Sequence, residues 1–209
     1  GRDSVNFFRD QRMRRALAYA IDRRGLVETM LKDRAIPADG PILPNSWAYA
    51  SSTACPTFDP NNPSQAQDNL ALVQITPPPP DPNAATPSSG RYTFELLVPN
   101  DAGLARVADA MVSAWSRLNM DVALVVVDSV TFRERLSAGS FDAALVELNL
   151  APAADPDPYS LWRQLPRDGG LNFGAMNDRS ISELLETARR ATDGATRIQL
   201  YRSFQQVFC

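Results

Sequence analysis

The chain has 209 residues, a formal net charge of −3 and 44% hydrophobic residues. This length allows a sizeable buried core, and the mildly acidic balance lacks the basic surface that nucleic-acid binding usually needs. Histidine is absent, which excludes Ser-His-Asp triads, Cys-His pairs and histidine-containing zinc sites. No apolar run approaches the length of a transmembrane helix, and the first residues do not resemble a signal peptide.

The first part of the chain is predicted to be helical. Asp10 is a candidate N-cap, and it precedes an apolar face that repeats at helical spacing. Asp22 is expected to cap a second, shorter helix. Further along, Asn62 and Pro63 suit the N-cap and the first position of a third helix.

Two proline-rich segments interrupt this pattern. Residues 33–60 lose helical periodicity and predict a long loop or a wrap around the core. Within them, Trp47 and Tyr49 either pin the loop to the core, which is the commoner arrangement, or stack on a ligand. Residues 76–90 are rich in proline and serine, so we expect an exposed, mobile loop there.

The clearest pattern is a strand, a helix and a strand in succession. Residues 91–99 alternate as a strand, 104–118 repeat at helical spacing, and 121–128 form an apolar run typical of a strand buried on both faces. Ser129 is expected to cap the next helix, and 142–150 predict a third strand. Two more helices then end the chain. This order predicts an α/β sandwich, in which ligands bind beyond the carboxyl ends of the strands.

The candidate polar groups follow the third predicted strand. Asp155 and Asp157 lie in a loop rich in alanine and proline, where they form a structural turn, a ligand-contacting loop or a catalytic pair, in decreasing order of expectation. Glu147 lies in the apolar strand itself and either faces a cleft or ends the buried run. Tyr159 and Trp162 either line a pocket or cap the sheet. The sequence contains no strong catalytic motif.

The two cysteines, Cys55 and Cys209, lie far apart in the sequence and form no CxxC motif. Separate thiols are the favoured interpretation, and pairing across the fold is the alternative. Pairing would suit an extracytoplasmic location. The sequence predicts neither a metal site nor a cofactor.

Several stretches, taken in chain order, resemble the family 5 extracellular solute-binding proteins of ABC importers, the dipeptide and oligopeptide group. They are 12–31, 35–49, 58–70, 96–128, 131–150, 155–162, 170–178 and 182–208. Each stretch is moderately specific alone, and the ordered set covers nearly the whole chain. Residues 76–90 depart from the family pattern at a surface position where insertions cost little.

The resemblance implies the fold of a type II periplasmic-binding-protein lobe, with a mixed sheet flanked by helices in three layers. It implies that residues 1–209 are a single domain, the second lobe of a two-lobed protein whose first lobe is missing from this chain. A secretion or lipoprotein signal is then expected in the complete protein. That protein is expected in the periplasm or on the outer face of the cell membrane, held by a lipid anchor.

The function implied by the resemblance is capture of a peptide or similar small solute between two lobes, for delivery to a membrane permease without chemistry. The candidate ligand-binding residues are Trp47, Glu147, Leu148, Asn149, Asp155, Asp157, Asn172 and Phe173. Leu148 and Ala151 stand near the positions where peptide-binding members carry a tryptophan and the acid that receives the peptide amino group. The alternatives are a hydrolase domain that uses Asp155 and Asp157, or a sensor domain of the same fold.

Overall fold

The structure is a computed structural model, and it describes residues 3–51, 55–75, 92–148, 155–164 and 170–209. The loop predicted at 76–90 lies outside these residues. The chain divides into two compact units. Unit 1 consists of Gly1–Arg34 and Thr57–Glu147, and unit 2 consists of Ala35–Pro56 and Leu148–Cys209.

Unit 1 contains a parallel sheet of three described strands. β1 (Tyr92–Pro99) lies between β2 (Met120–Val127) and β3 (Ala143–Ala144). Both pairings are parallel, which confirms the α/β class. The antiparallel strand that a mixed sheet requires is not among the described strands. The strand predicted over 91–99 is confirmed, and its alternation corresponds to a buried face of four side chains that are at most 2% exposed, namely Tyr92, Phe94, Leu96 and Val98.

The two outer strands differ from their predictions. Among the described strands, β2 lies at the edge of the sheet, and it is not buried on both faces, because Val126 is 46% exposed. The third strand, predicted over 142–150, is only two residues long. The N–H of Leu145 still donates to the carbonyl of Leu97 at 2.9 Å, and the chain then leaves the sheet. The apolar run over 142–150 therefore predicted that the segment is buried. It did not predict how many of its residues pair with β1.

Five α-helices among the described residues of unit 1 follow a short 3-10 helix, Asp3–Arg9. They are α1 (Gln11–Ala20), α2 (Arg23–Met30), α3 (Gln65–Ala71), α4 (Ala102–Ser116) and α5 (Ser129–Ala138). The predicted caps of the first two are confirmed: Asp10 accepts from the N–H of Arg12, and Asp22 accepts from the N–H of Gly25. Each carboxylate satisfies a helix N–H that would otherwise lack an acceptor.

Two predicted helix starts are wrong by one or two residues. Asp128, not Ser129, caps α5, and its carboxylate accepts from the N–H groups of Val130 and Thr131. The third helix begins at Gln65 rather than at Pro63, because the Asn62 side chain accepts from the Ser64 hydroxyl instead of from a helix N–H. An aspartate accepts more strongly than a neighbouring serine, since its hydrogen bonds are charge-assisted.

The core of unit 1 is built on aromatic side chains. Phe7, in the 3-10 helix, is fully buried, and its ring centroid lies 5.1 Å from that of Tyr92 and 4.8 Å from that of Phe8. Trp115, on α4, is 5% exposed and belongs to the same core. Its indole N–H donates to the carbonyl of Leu17 at 3.1 Å, so the buried polar group is satisfied.

The described residues of unit 2 form helices joined by irregular segments. The helices among them are α6 (Tyr159–Trp162), α7 (Arg179–Arg190) and α8 (Gly194–Phe208). One irregular segment, residues 35–51, is called the strap. The strap packs onto the helices, because Ile42 and Ala48 belong to the same core cluster as Tyr201 and Phe204. The buried Gln205 amide donates to the carbonyl of Ala48 and accepts from the N–H of Ala50, which fixes the strap on α8.

The favoured interpretation of the cysteines was wrong, because Cys55 and Cys209 form a disulfide. Their Cα atoms lie 4.5 Å apart although 154 positions separate them in the sequence. The bond joins Cys209, which follows α8, to Cys55, which follows the strap that packs on α8. Chain packing brings the sulfurs together, and spacing alone gave no sign of it.

Stability is expected to fall in acid because of the helix caps. Four aspartates cap helices, and hydrogen bonds to their carboxylates lower the pKa of each one. At Asp10 and Asp178 the main donors are the N–H groups of Arg12 and Ile181. At Asp128 and Asp193 they are the side chains of Thr131 and Thr196. Below the unfolded-state value of 3.8, the unfolded chain binds these protons first. We expect the free energy of unfolding, measured by urea titration, to be flat near pH 6 and to fall below about pH 4.

Asn substitutions at these four caps provide the matched control, because asparagine caps a helix without titrating. The quadruple variant should lose less stability between pH 5 and pH 3 than the unchanged chain does. An identical loss in both proteins would contradict the assignment of the acid sensitivity to the caps.

Candidate functional site

Asp155, one of the predicted ligand contacts, is held by an arginine of α8. Nη2 of Arg197 donates to both carboxylate oxygens of Asp155, at 2.7 and 2.8 Å. The same guanidinium donates through Nε to the carbonyl of Ala188, at the end of α7, and through Nη2 to the hydroxyl of Tyr201 at 3.1 Å. Arg197 therefore joins α7, α8 and the turn that contains Asp155.

Trp47, in the strap, lies against the same arginine. The guanidinium carbon of Arg197 is 5.5 Å from the centroid of the Trp47 ring, and the ring of Tyr201 meets it edge-on at 5.8 Å. These contacts confirm that the loop is pinned to the core at Trp47. The side chain nevertheless stays 44% exposed, so part of the ring is open to a ligand. The structure thus brings Trp47 and Asp155 together around Arg197.

The contacts among Arg197, Asp155 and Tyr201 determine which of these side chains are charged. The hydrogen bond to Asp155 raises the pKa of the Arg197 guanidinium, so the cation is permanent. Burial raises the pKa of the Tyr201 hydroxyl, and the negative charge of Asp155 raises it further. Tyr201 is fully buried and neutral, and its hydroxyl contributes a hydrogen bond rather than a charge.

Asp157 is paired in the same manner with a different helix. Its carboxylate lies 3.0 Å from Nε of Arg189 on α7, and it also accepts from the N–H of Tyr159. Asp155 in turn accepts from the N–H of Asp157. These bonds confirm the structural-turn interpretation of the Asp-Pro-Asp-Pro sequence. The Tyr159 ring lies beneath the Arg189 guanidinium at 4.6 Å, and its hydroxyl donates to Glu186.

Asn172 and Phe173 occupy a turn that precedes α7. The amide of Asn172 donates to the carbonyls of Arg163 and Met176 and accepts from the N–H of Met176 at 2.9 Å. The side chain therefore organises the turn, and it is close to saturated with hydrogen bonds. Phe173 is half-buried beside it. Their role as ligand contacts stays a prediction.

The remaining predicted residues follow β3. Glu147 is exposed, which agrees with the interpretation that it ends the buried run, and Leu148 is 38% exposed. Asn149 lies outside the described residues. Glu147 belongs to unit 1, whereas Leu148 belongs to unit 2, so the predicted contacts are divided between the two units.

The residues that sequence reasoning missed are the cations and the tyrosine that organise unit 2, namely Arg189, Arg197 and Tyr201. Arg197 lies 42 positions from its carboxylate partner, so no local motif joins them. The one available clue is that Arg197 lies one turn before Tyr201 on α8. Among the described residues, no group of three acidic or cysteine side chains is arranged to hold a metal ion. No described helix is long and apolar enough to cross a membrane.

A family model described as "Bacterial extracellular solute-binding proteins, family 5 Middle" matches residues 3–170. The chain belongs to this family. Membership of family 5 confirms the resemblance found in the sequence, and the hydrolase interpretation fails, because the family binds solutes and both candidate carboxylates are paired with arginines.

Individual relatives of this family 5 chain differ in their ligands. It is 19% identical to the dipeptide-binding protein of Escherichia coli over 95% of this chain, and 22% identical to heme-binding protein A of Haemophilus influenzae over 96% of it. The chain spans about 35% of the length of these curated relatives.

A solved structure gives the same fold. The oligopeptide-binding protein AppA of Bacillus subtilis, in complex with a nonapeptide, superposes with a TM-score of 0.78 at 20% identity. The superposition covers 96% of this chain and 40% of that one. This likeness confirms the type II periplasmic-binding-protein fold.

Proposed function

We propose that this chain is part of the substrate-binding component of an ABC importer, which captures a peptide or similar small solute and delivers it to a membrane permease. The observation that carries the proposal is the family match over residues 3–170. A relative named for dipeptide binding and a structural neighbour in complex with a nonapeptide support the peptide class. On this proposal, both compact units belong to a single domain, the second lobe of a two-lobed protein.

The mechanism proposed is closure of two lobes on a ligand. A ligand that binds the closed form more tightly shifts the protein toward that form. On this lobe, Trp47, Leu148 and Phe173 supply apolar surface, and Glu147, Asn149, Asp155, Asp157 and Asn172 supply polar groups. The first lobe contributes the other half of the site, so the second lobe alone binds weakly.

The proposed location is the periplasm or the outer face of the membrane, with a lipid anchor on the complete protein. The disulfide between Cys55 and Cys209 supports an oxidising compartment, because cytosolic thiols are kept reduced. A sensor domain of the same fold would also bind a ligand. The two roles differ in transport, because peptide uptake by the cell requires an importer component but does not require a sensor.

The test compares the 209-residue chain with the product of the complete reading frame that encodes it. Isothermal titration calorimetry with a dipeptide and oligopeptide library is expected to give micromolar or tighter binding for the complete protein and weak or undetectable binding for the chain alone. Heme serves as the non-peptide comparison ligand, because one relative is named for binding it. Micromolar binding by the isolated chain would contradict the half-site mechanism, and binding of heme alone would contradict the peptide class.

A further inference from the structure

Trp47, which is 44% exposed, and Asp155 both contact the guanidinium of Arg197. Asp155 is 47% exposed, yet its two oxygens both accept from Arg197. The Arg197 side chain is only 19% exposed, because it is enclosed by Trp47, Tyr201 and the end of α7. A guanidinium held by this many partners is pre-organised and does not swing away to solvent.

We propose that Arg197 is a specificity-determining positioning residue, which fixes the Trp47 ring and cancels the charge of Asp155, so that this surface selects an uncharged ligand group. The inference rests on the proposed function and deepens it. An aromatic face beside a free carboxylate attracts an ammonium group through ion pairing and through the ring. The same face beside a neutralised carboxylate favours apolar or aromatic groups instead.

The contacts of Arg197 explain why one residue controls both properties. Trp47 lies in the strap, which has no regular secondary structure, so its ring position depends on side-chain contacts. Asp155 lies in a turn whose carboxylate is bound from α8. Removing the guanidinium therefore loosens the ring and exposes a negative charge next to it. Arg189 does not substitute, because it pairs with Asp157 and lies on Tyr159.

The first experiment measures the charge beside Trp47 with no ligand present. Tryptophan fluorescence of the 209-residue chain is quenched with caesium and with iodide, and subtraction of the W47F protein isolates the Trp47 emission. In the unchanged chain, we expect the ratio of caesium to iodide quenching of Trp47 to match the ratio for free N-acetyltryptophanamide, which is a neutral indole. In R197Q, the ratio of caesium to iodide quenching should rise roughly threefold, because an exposed carboxylate attracts the cation.

Two variants control this measurement. R202Q removes one positive charge from an exposed position of the same helix, and it should leave the quenching ratio unchanged. The double variant R197Q/D155N removes the released carboxylate, and it should return the ratio to its original value. An unchanged ratio in R197Q, or an equal rise in R202Q, would overturn the inference. Circular dichroism confirms that each variant is folded before its ratio is compared.

The second experiment measures selectivity in the complete protein with Ala-Phe and its N-acetylated form. In R197Q, the affinity ratio should shift roughly fivefold toward the free amine, and D155N should abolish this shift. Binding of the dipeptides with no shift would overturn the inference and leave the proposed function standing. Failure of the unchanged protein to bind any peptide would contradict the proposed function. The role of Arg197 would then still be tested by the quenching ratio, which requires no ligand.

Discussion

Replacing both cysteines, as C55S/C209S, is expected to lower the free energy of unfolding by about 3 to 5 kcal/mol. The disulfide closes a loop between residues 154 positions apart, and a loop of that length removes much conformational entropy from the unfolded chain. The chain-entropy relation gives about 5 kcal/mol for such a loop, and measured values are usually smaller. In the folded state, loss of the disulfide also weakens the attachment of the strap. Cys55 lies just beyond the strap, and its N–H donates to the backbone carbonyl of Asp39.

Urea denaturation monitored by circular dichroism measures this effect. The unchanged chain in dithiothreitol should match C55S/C209S, and the double variant should not respond to the reductant. Since the crosslink also restricts the unfolded state, its removal should increase the slope of the transition. A loss below 1 kcal/mol, or a variant that still responds to dithiothreitol, would contradict the expected role of the disulfide.

The parts of the fold that followed from the sequence are those set by local interactions. β1 and α4 were predicted to within two residues, because alternation and helical spacing report the buried face directly. The caps Asp10 and Asp22 were found because each lies just before its helix. Ser129 was predicted as the cap of α5 because Asp128 was assigned to the preceding strand, whereas β2 ends at Val127 and leaves Asp128 as the cap.

The parts that could not be predicted depend on contacts between distant segments. An apolar run such as 142–150 signals burial, but strand length depends on the partner strand. The pairs Cys55–Cys209 and Asp155–Arg197 join positions with no local pattern between them. The candidate site was therefore found as a set of positions, including Trp47 and Asp155. Arg197, which contacts both residues, was identified only from the structure.

Substitution of Phe7 by alanine is expected to destabilise unit 1 by about 4 kcal/mol. The Phe7 side chain is 0% exposed and contacts the rings of Tyr92 and Phe8, so its removal leaves a cavity and also breaks aromatic contacts. It belongs to a 3-10 helix, in which few backbone hydrogen bonds compensate for lost packing. The ring therefore supplies much of the free energy that holds this N-terminal segment on β1.

The measurement is urea denaturation of F7A beside F7L and L72A. F7L retains most of the buried volume and should lose less than half as much stability as F7A does. Leu72 is 61% exposed, so L72A should change the free energy of unfolding by less than about 0.5 kcal/mol. Because β1 is the central strand of the sheet, a large loss in F7A places the 3-10 helix within the cooperative core of unit 1. A loss as small as that of L72A would show instead that this helix separates from β1 at little cost.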